Sequence, residues 1–258
     1  MDKFLRHSKR MNQTAAQWVE GNFRNPHFPD GSVSQKGGAF DFEKDGFAIA
    51  KGVVPEAQRL RLNEVLGDPE GAGARGLLAV PEVRALARCE AVMALVARHL
   101  GSDARPVRAI FFDKTQSSNW LVPWHQDLTI AVTGRVETPG FGPWSVKHGI
   151  PHVQPPSAWL ERMLALRLHL DDCDGSNGAL RLIPGSHRLG RLGPDQIALC
   201  RAACTEVVCE AAAGDVLLMR PLLLHASSKS VSGRRRRVLH IEYCSGSLPE
   251  GLAWHECA

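Results

Sequence analysis

Val122-Pro123-Trp124-His125-Gln126-Asp127-Leu128 decides how this chain is read. On an extended strand, residues i and i+2 point to one face, so His125 and Asp127 aim at a common point. A third donor, His225, stands far downstream in Leu222-Leu223-Leu224-His225-Ala226-Ser227. Were its strand to lie beside the first, two imidazoles and one carboxylate would cover one side of an ion. That arrangement leaves three coordination positions open and suits non-haem Fe(II) that activates oxygen. An HxD triplet alone is a weak signal, and the residues after His225 strengthen it. Ser227 is followed by Arg234-Arg235-Arg236-Arg237 and the alternating run Val238-Leu239-His240-Ile241-Glu242-Tyr243. An arginine on the strand after the distal histidine is what a dicarboxylic co-substrate needs. Its guanidinium grips a carboxylate through two parallel charge-assisted hydrogen bonds.

Strand signals dominate around these motifs. Pro106–Asp113, Trp120–Thr129, Leu164–Leu170, Ala179–Ile183, Glu206–Cys209, Val216–Met219, Leu222–Ala226 and Val238–Tyr243 are short apolar or alternating runs separated by turn residues. Leu164, Leu166, Leu168 and Leu170 share one face of theirs, leaving Arg167 and His169 on the other. Helical spacing precedes the strands, over Pro55–Leu66 and as one helix over Pro81–Leu100, ending before Gly101. Gly71–Gly76 reads as a loop. Helices first and many short strands after them predict a mainly β fold with flanking helices. Its core is a double-stranded β-helix, the cupin-like jelly roll. Residues 1–38, polar and punctuated by Gly and Pro, read as an N-terminal arm or extension, and residues 39–258 as a single domain.

Composition agrees. A chain of 258 residues can bury a sizeable core, and 44% hydrophobic with 22% charged residues is ordinary for a soluble globule. No run of about 18 apolar residues exists to span a membrane, and the N-terminus lacks the apolar core of a signal peptide. Seven cysteines, an odd number with no CxxC, signal neither a zinc site nor a disulfide framework, and point to reduced thiols in a cytoplasm. The net charge of +4 slightly favours an anionic small molecule. The four arginines lack the broad basic stripe and aromatic interleaving of a nucleic-acid surface. Oligomeric state leaves no mark in the sequence.

The motifs together resemble the phytanoyl-CoA dioxygenase-like family of Fe(II)/2-oxoglutarate-dependent oxygenases. The resemblance rests on Phe42-Glu43-Lys44-Asp45-Gly46-Phe47-Ala48-Ile49, the HxD strand, Asn177-Gly178-Ala179-Leu180-Arg181-Leu182-Ile183-Pro184-Gly185-Ser186-His187, and Gly214-Asp215-Val216 leading to His225 and Ser227. Arg236 completes it, eleven residues after His225, and the whole spans roughly residues 40 to 250. It implies His125, Asp127 and His225 as ligands of Fe(II) and as the catalytic centre. It implies Arg236 as the partner of the distal 2-oxoglutarate carboxylate, with Ser227 bonded to the same group. Strand parity agrees, because Arg236, Val238 and His240 share one face. Arg234, Arg235 and Arg237 are then expected along a solvated edge.

The family reaction couples O2 and oxidative decarboxylation of 2-oxoglutarate, to succinate and CO2, to hydroxylation of a small metabolite or natural-product intermediate. The carboxylate of Asp127 argues against halogenation, in which a small residue frees a position for halide. Desaturation, ring formation and epoxidation share the same chemistry in other substrate poses. A non-oxidative cupin-like enzyme on the same barrel would need no Arg236 and Ser227 clamp, and a small-molecule sensor that retains the pocket draws no support from an intact metal triad.

Further site candidates surround this set. Lys114, ending the strand before the HxD run, lies either near 2-oxoglutarate or on the surface, as lysines usually do. Thr133–Ser157, long and rich in Gly and Pro, reads as an irregular lid over the metal. In it Trp144, Lys147 and His152 are candidate substrate contacts, although Trp144 could equally pack the loop and His152 cap a turn. Gln126 is a further candidate, and Arg167 and His169, opposite the leucine face, point either into the cavity or to solvent. His187 and His240 are expected to be structural.

Overall fold

The computed structural model describes residues 40–257. The expected arm over 1–38 lies outside them. The leucine face of Leu164–Leu170 organises what is described. Leu164, Leu166, Leu168 and Leu170 are fully buried, and they pack with Phe111, Leu239, Ile241 and Tyr243 from neighbouring strands. Against this sheet face lie Leu62 of helix α2 (Glu56–Leu66), Val83, Leu86 and Ala87 of α3 (Pro81–Arg88), and Val92 and Val96 of α4 (Glu90–Leu100). A shorter helix, α1 (Phe42–Asp45), precedes them. Each fully buried leucine contributes roughly 1.5–3 kcal/mol relative to exposure, so this layer anchors the fold.

The sheet has six antiparallel strands in the order β1 (Phe47–Ala50), β11 (Val216–Met219), β8 (Met163–His169), β13 (Arg236–Cys244), β3 (Arg105–Lys114) and β2 (Gly73–Arg75). A second sheet of four runs β10 (Val207–Cys209), β9 (Leu180–Leu182), β12 (His225–Ser227) and β4 (Val122–His125). Between the two sheets, Ala165, Leu180, Leu182, Leu217 and Met219 form an apolar floor. This is the jelly roll with flanking helices. All seven cysteines are free. Among the described residues no helix is long and apolar enough to cross a membrane.

Several elements differ from expectation, each for a local reason. The expected helix Pro81–Leu100 is two helices broken at Cys89, which is extended (ψ 152°). Continuing the spacing of Val83 and Ala87 would bury Glu90, whereas the break turns Val92 and Val96 to the sheet instead. Within Gly71–Gly76, Gly73–Arg75 pairs with β3 as an edge strand, and a Cβ on Gly73 would lie 1.8 Å from the Phe111 carbonyl oxygen. The HxD strand stops at His125, because the Asp127 amide turns to donate to the Pro221 carbonyl at 2.8 Å. The strand expected over Leu222–Ala226 occupies only His225–Ser227, and Leu223 closes a turn on Arg220.

The segment read as an irregular lid contains a hairpin, β6 (Trp144–Lys147) and β7 (Ile150–Val153), joined to β5 (Ile130–Ala131). His148 and Gly149 make its turn with φ of 52° and 78°, the left-handed pair that a two-residue hairpin favours. Helices α5 (Ser157–Leu160) and α6 (Pro194–Ala203) and strand β1 were not anticipated.

Candidate metal centre and its cavity

Strands β4 and β12 are neighbours, and their register sets His125 directly opposite His225. The imidazole centroids lie 4.1 Å apart. Each ring nitrogen Nδ1 sits 2.9 Å from the backbone carbonyl two residues earlier, Pro123 for His125 and Leu223 for His225. A carbonyl only accepts, so each Nδ1 carries the proton and each Nε2 keeps its lone pair free. Asp127 lies between the two rings, with Oδ1 3.7 Å from His125 Nε2 and Oδ2 3.6 Å from His225 Nε2. These distances are too long for hydrogen bonds and short enough to share an ion. One donor atom from each residue lies within 4.8 Å of the others, so the three could hold a metal. Two neutral nitrogens and one carboxylate oxygen, with one side open, fit Fe(II).

Electrostatics keep these donors ready. Burial lowers the His225 pKa to about 4 against the opposing pull of Asp127, so the ring is neutral at pH 7. For Asp127, burial works against ionisation. Electrostatic interaction with His225, His125, His240 and Arg167 outweighs it and holds the carboxyl below its ordinary range.

The donors open on a cavity of about 550 Å³. Arg236 lines it and is 3% exposed. It donates from a terminal nitrogen to the Gly178 carbonyl at 2.6 Å, while its buried Nε has no partner. Among the described residues no carboxylate pairs with it. Burial lowers its pKa. Ser227, also in the wall, donates to the same Gly178 carbonyl at 2.9 Å. Gly178 (φ 84°) must be glycine, since a Cβ there would meet the Ser228 carbonyl oxygen at 2.7 Å and Lys114 Nζ at 2.8 Å. Asn177 braces the turn by accepting from the Asp174 amide and donating to the Asp172 carbonyl, both at 2.8 Å.

Lys114 is fully buried, which corrects the expectation of a surface lysine. It stands opposite Arg236 in the β3–β13 register, and Nζ donates to Ser227 Oγ at 3.1 Å and the Ser228 carbonyl at 2.6 Å. Burial first, and then the Arg236 charge, bring its pKa down to about 8. It stands behind Ser227 and is not part of the cavity wall. The other three arginines do not form a free solvated edge. Arg237 grips Asp171 through two nitrogens (2.7 and 2.9 Å), Arg235 bridges Asp113 and Asp68, and Arg234 pairs with Asp174.

The substrate candidates divide. Gln126, Lys147 and Arg167 line the cavity, whereas Trp144, His152 and His169 do not. Gln126 spends its amide on the Gly190 and Leu222 carbonyls and the Leu192 amide, so it staples a turn beside the site. Trp144 packs against the cluster of Ile130, Val153 and Leu252, and His152 is buried against the Ile150 carbonyl. His169 shares the inward face with Arg167 but is sealed, and burial followed by the Arg167 charge brings its pKa down to about 3. Arg167 is 6% exposed and donates to His240 Nδ1 at 3.1 Å, leaving Nε unpartnered. Burial and Arg236 lower its pKa to about 10.

His240 is therefore more than a core histidine, since it lines the cavity between Arg167 and Glu242. Sequence reasoning also missed Arg75, Arg108, Trp120, His148, Gln154 and Glu242 in the wall. Period-2 parity could have found two of them: Arg108 shares a face with Lys114, and Glu242 with Arg236.

Fold and site together define a jelly-roll protein of the Fe(II)/2-oxoglutarate oxygenase class. Residues 42–238 match the family model of phytanoyl-CoA dioxygenase (PhyH), and the chain belongs to that family. No curated protein matches the sequence. Among solved structures, AviO1 from Streptomyces viridochromogenes Tue57 superimposes with a TM-score of 0.59 at 24% identity, over 81% of this chain and 93% of its own. The epimerase SnoN from nogalamycin biosynthesis, solved with Fe3+, alpha-ketoglutarate and nogalamycin RO, gives 0.60 at 16% identity, over 83% of each chain. HygX from Streptomyces hygroscopicus, with nickel and 2-oxoglutarate bound, gives 0.56 at 17% identity, over 81% of this chain and 86% of its own. At these identities the likeness is one of fold.

Proposed function

We propose that this protein is an Fe(II)- and 2-oxoglutarate-dependent dioxygenase that hydroxylates a C–H bond of a small metabolite or natural-product intermediate. His125, Asp127 and His225 hold the metal, and residues 39–258 work as one catalytic domain. Bound Fe(II) and 2-oxoglutarate supply O2 activation coupled to decarboxylation, releasing succinate and CO2. One observation carries the reading: a one-sided His-Asp-His donor set shares a cavity with a buried arginine whose Nε has no partner.

The chain's own residues divide the work. Arg236 and Ser227 receive the distal carboxylate of 2-oxoglutarate. Lys114 holds the Ser227 hydroxyl in place and adds a positive charge behind it. Arg236, Lys114 and Arg167 place three buried cations at one end of the site, and a dianion would compensate the cost of burying them. The carbonyls of Pro123 and Leu223 fix the histidine tautomers, so both rings present a free lone pair without rearrangement. Gln126 holds the chain between the two donors His125 and Asp127.

The presence of Asp127 favours oxygenation over halogenation. SnoN, an epimerase, has the same fold, so the fold by itself does not select hydroxylation. The seven free thiols support a cytoplasmic location.

The test is aerobic incubation of the wild type and Asp127→Ala with Fe(II) and 2-oxoglutarate, following succinate. Slow substrate-independent release by the wild type, absent from the variant, is expected. A wild type that binds both cofactors but releases no succinate would overturn the proposal.

A further inference from the structure

The cavity continues well past the metal donors, and the sheet register fixes what its floor presents. Arg108 stands opposite Glu242, and Ile110 stands opposite both His240 and Arg75. Arg75 and Arg108 are therefore diagonal neighbours on the inward face, a spacing of about 7–8 Å that long side chains bridge. Lys147 reaches the same space from the β6–β7 hairpin, and its Nζ donates to Thr129 Oγ1 at 3.0 Å, two residues beyond Asp127. A second lobe of about 460 Å³ opens beyond Arg75, with Trp120 and His148 in its wall and Glu70 also lining it.

Charge at this end is unbalanced. Arg108 bonds to Glu242 at 3.1 Å, which offsets one cation. Among the described residues, neither Arg75 nor Lys147 is paired with a carboxylate. Partial burial, followed by the Arg108 charge, lowers the pKa of both. Arg108 lies six residues along β3 from Lys114, roughly 20 Å of strand. The basic cluster is thus separate from the Arg236 end that would receive 2-oxoglutarate.

We propose that the primary substrate is an anion, whose carboxylate, phosphate or sulfate group is held by Arg75, Arg108 and Lys147 while its reacting carbon faces His125, Asp127 and His225. This rests on the oxygenase reading above. The cluster supplies guanidinium forks suited to planar or tetrahedral oxyanions and a mobile ammonium at the rim. Arg108, held by Glu242, is the fixed member, and Arg75 and Lys147 are the exposed ones that close on the ligand.

The probes are benzoate, phenyl phosphate and phenyl sulfate, with neutral benzamide as the control. Calorimetry measures their binding to the protein loaded with Ni(II) and saturating 2-oxoglutarate. Because Arg75 and Lys147 are exposed, the double variant Arg75→Gln/Lys147→Gln tests the cluster without threatening the fold. At least one charged probe should bind about tenfold more tightly than benzamide, and lose about tenfold in the double variant while 2-oxoglutarate affinity is unchanged. The rank order of the charged probes then identifies the head group. Equal binding of benzamide, no charged probe bound, unchanged affinity in the variant, or displacement of the probes by 2-oxoglutarate would each overturn the proposal. Failure of 2-oxoglutarate itself to bind, seen in its own titration, would instead overturn the oxygenase reading.

Discussion

Replacing Arg236 by methionine should weaken 2-oxoglutarate binding and yet leave the ligand-free protein at least as stable as before. The opposite signs follow from its surroundings. Arg236 is 3% exposed, makes one hydrogen bond to the Gly178 carbonyl, and keeps Nε without a partner. Removing it forfeits about 1.5–3 kcal/mol for one charge-assisted bond, but also removes a buried cation whose desolvation costs several kcal/mol. The Gly178 carbonyl is not orphaned, because Ser227 still donates to it at 2.9 Å. Methionine fills most of the aliphatic volume. In the complex the balance reverses, since a buried carboxylate would lose its partner at a cost of about 2–5 kcal/mol, or roughly 30- to several-thousand-fold in affinity. Denaturant unfolding with and without 2-oxoglutarate and Ni(II) reads both effects, because ligand stabilisation follows free ligand over Kd. A ligand-free variant destabilised by about 3 kcal/mol or more would mean that Arg236 has a compensating partner within the protein. Unchanged 2-oxoglutarate affinity would remove it from the site.

Other outcomes follow from the same geometry. Gly178→Ala should destabilise the protein by about 1–3 kcal/mol in chemical unfolding and weaken 2-oxoglutarate binding, because the new Cβ meets the Ser228 carbonyl and Lys114. Arg234→Ala, at an ion pair open to water, should change stability by less than about 1 kcal/mol and leave 2-oxoglutarate affinity unaltered in the same two measurements. For pH, the half-buried His187 has its pKa lowered from 6.5 to about 4, first by burial and then by the Arg188 charge. Between those values the unfolded chain binds the extra proton, so stability is lost as pH falls from 6.5 towards 4. Thermal unfolding of His187→Gln across that window should show a shallower slope than the wild type, and an identical slope would exclude this histidine.

The convergence of His125, Asp127 and His225, and the place of Arg236 in the same cavity, were legible because strands impose a period of two, and a facing register turns spacing into geometry. His125, His225 and Arg236 needed only that rule and a motif. Asp127 did so for a partly different reason, since the strand ends at His125 and a backbone bond to Pro221 then aims the carboxylate. The hairpin carrying Lys147 was obscured by its Gly- and Pro-rich flanks, although Val146-Lys147-His148-Gly149-Ile150 holds a two-residue turn between apolar residues. Trp144 and His152 could not be assigned from sequence, because an aromatic ring in a loop packs inward or lines a site according to contacts made far along the chain. Lys114 was misjudged because its burial depends on Ser227, Ser228 and Trp120 from other segments. Arg75 and Arg108 meet only through the β2–β3 pairing, which Gly73 permits and no local pattern announces.

The central claim is that one cavity holds both a metal and 2-oxoglutarate. An anaerobic Fe(II) titration of the protein with 2-oxoglutarate, followed by visible absorption, tests it most directly. A weak charge-transfer band that appears in the wild type, fades in Arg236→Met and is absent from Asp127→Ala is expected. Iron bound by the wild type with no band at saturating 2-oxoglutarate would contradict the account.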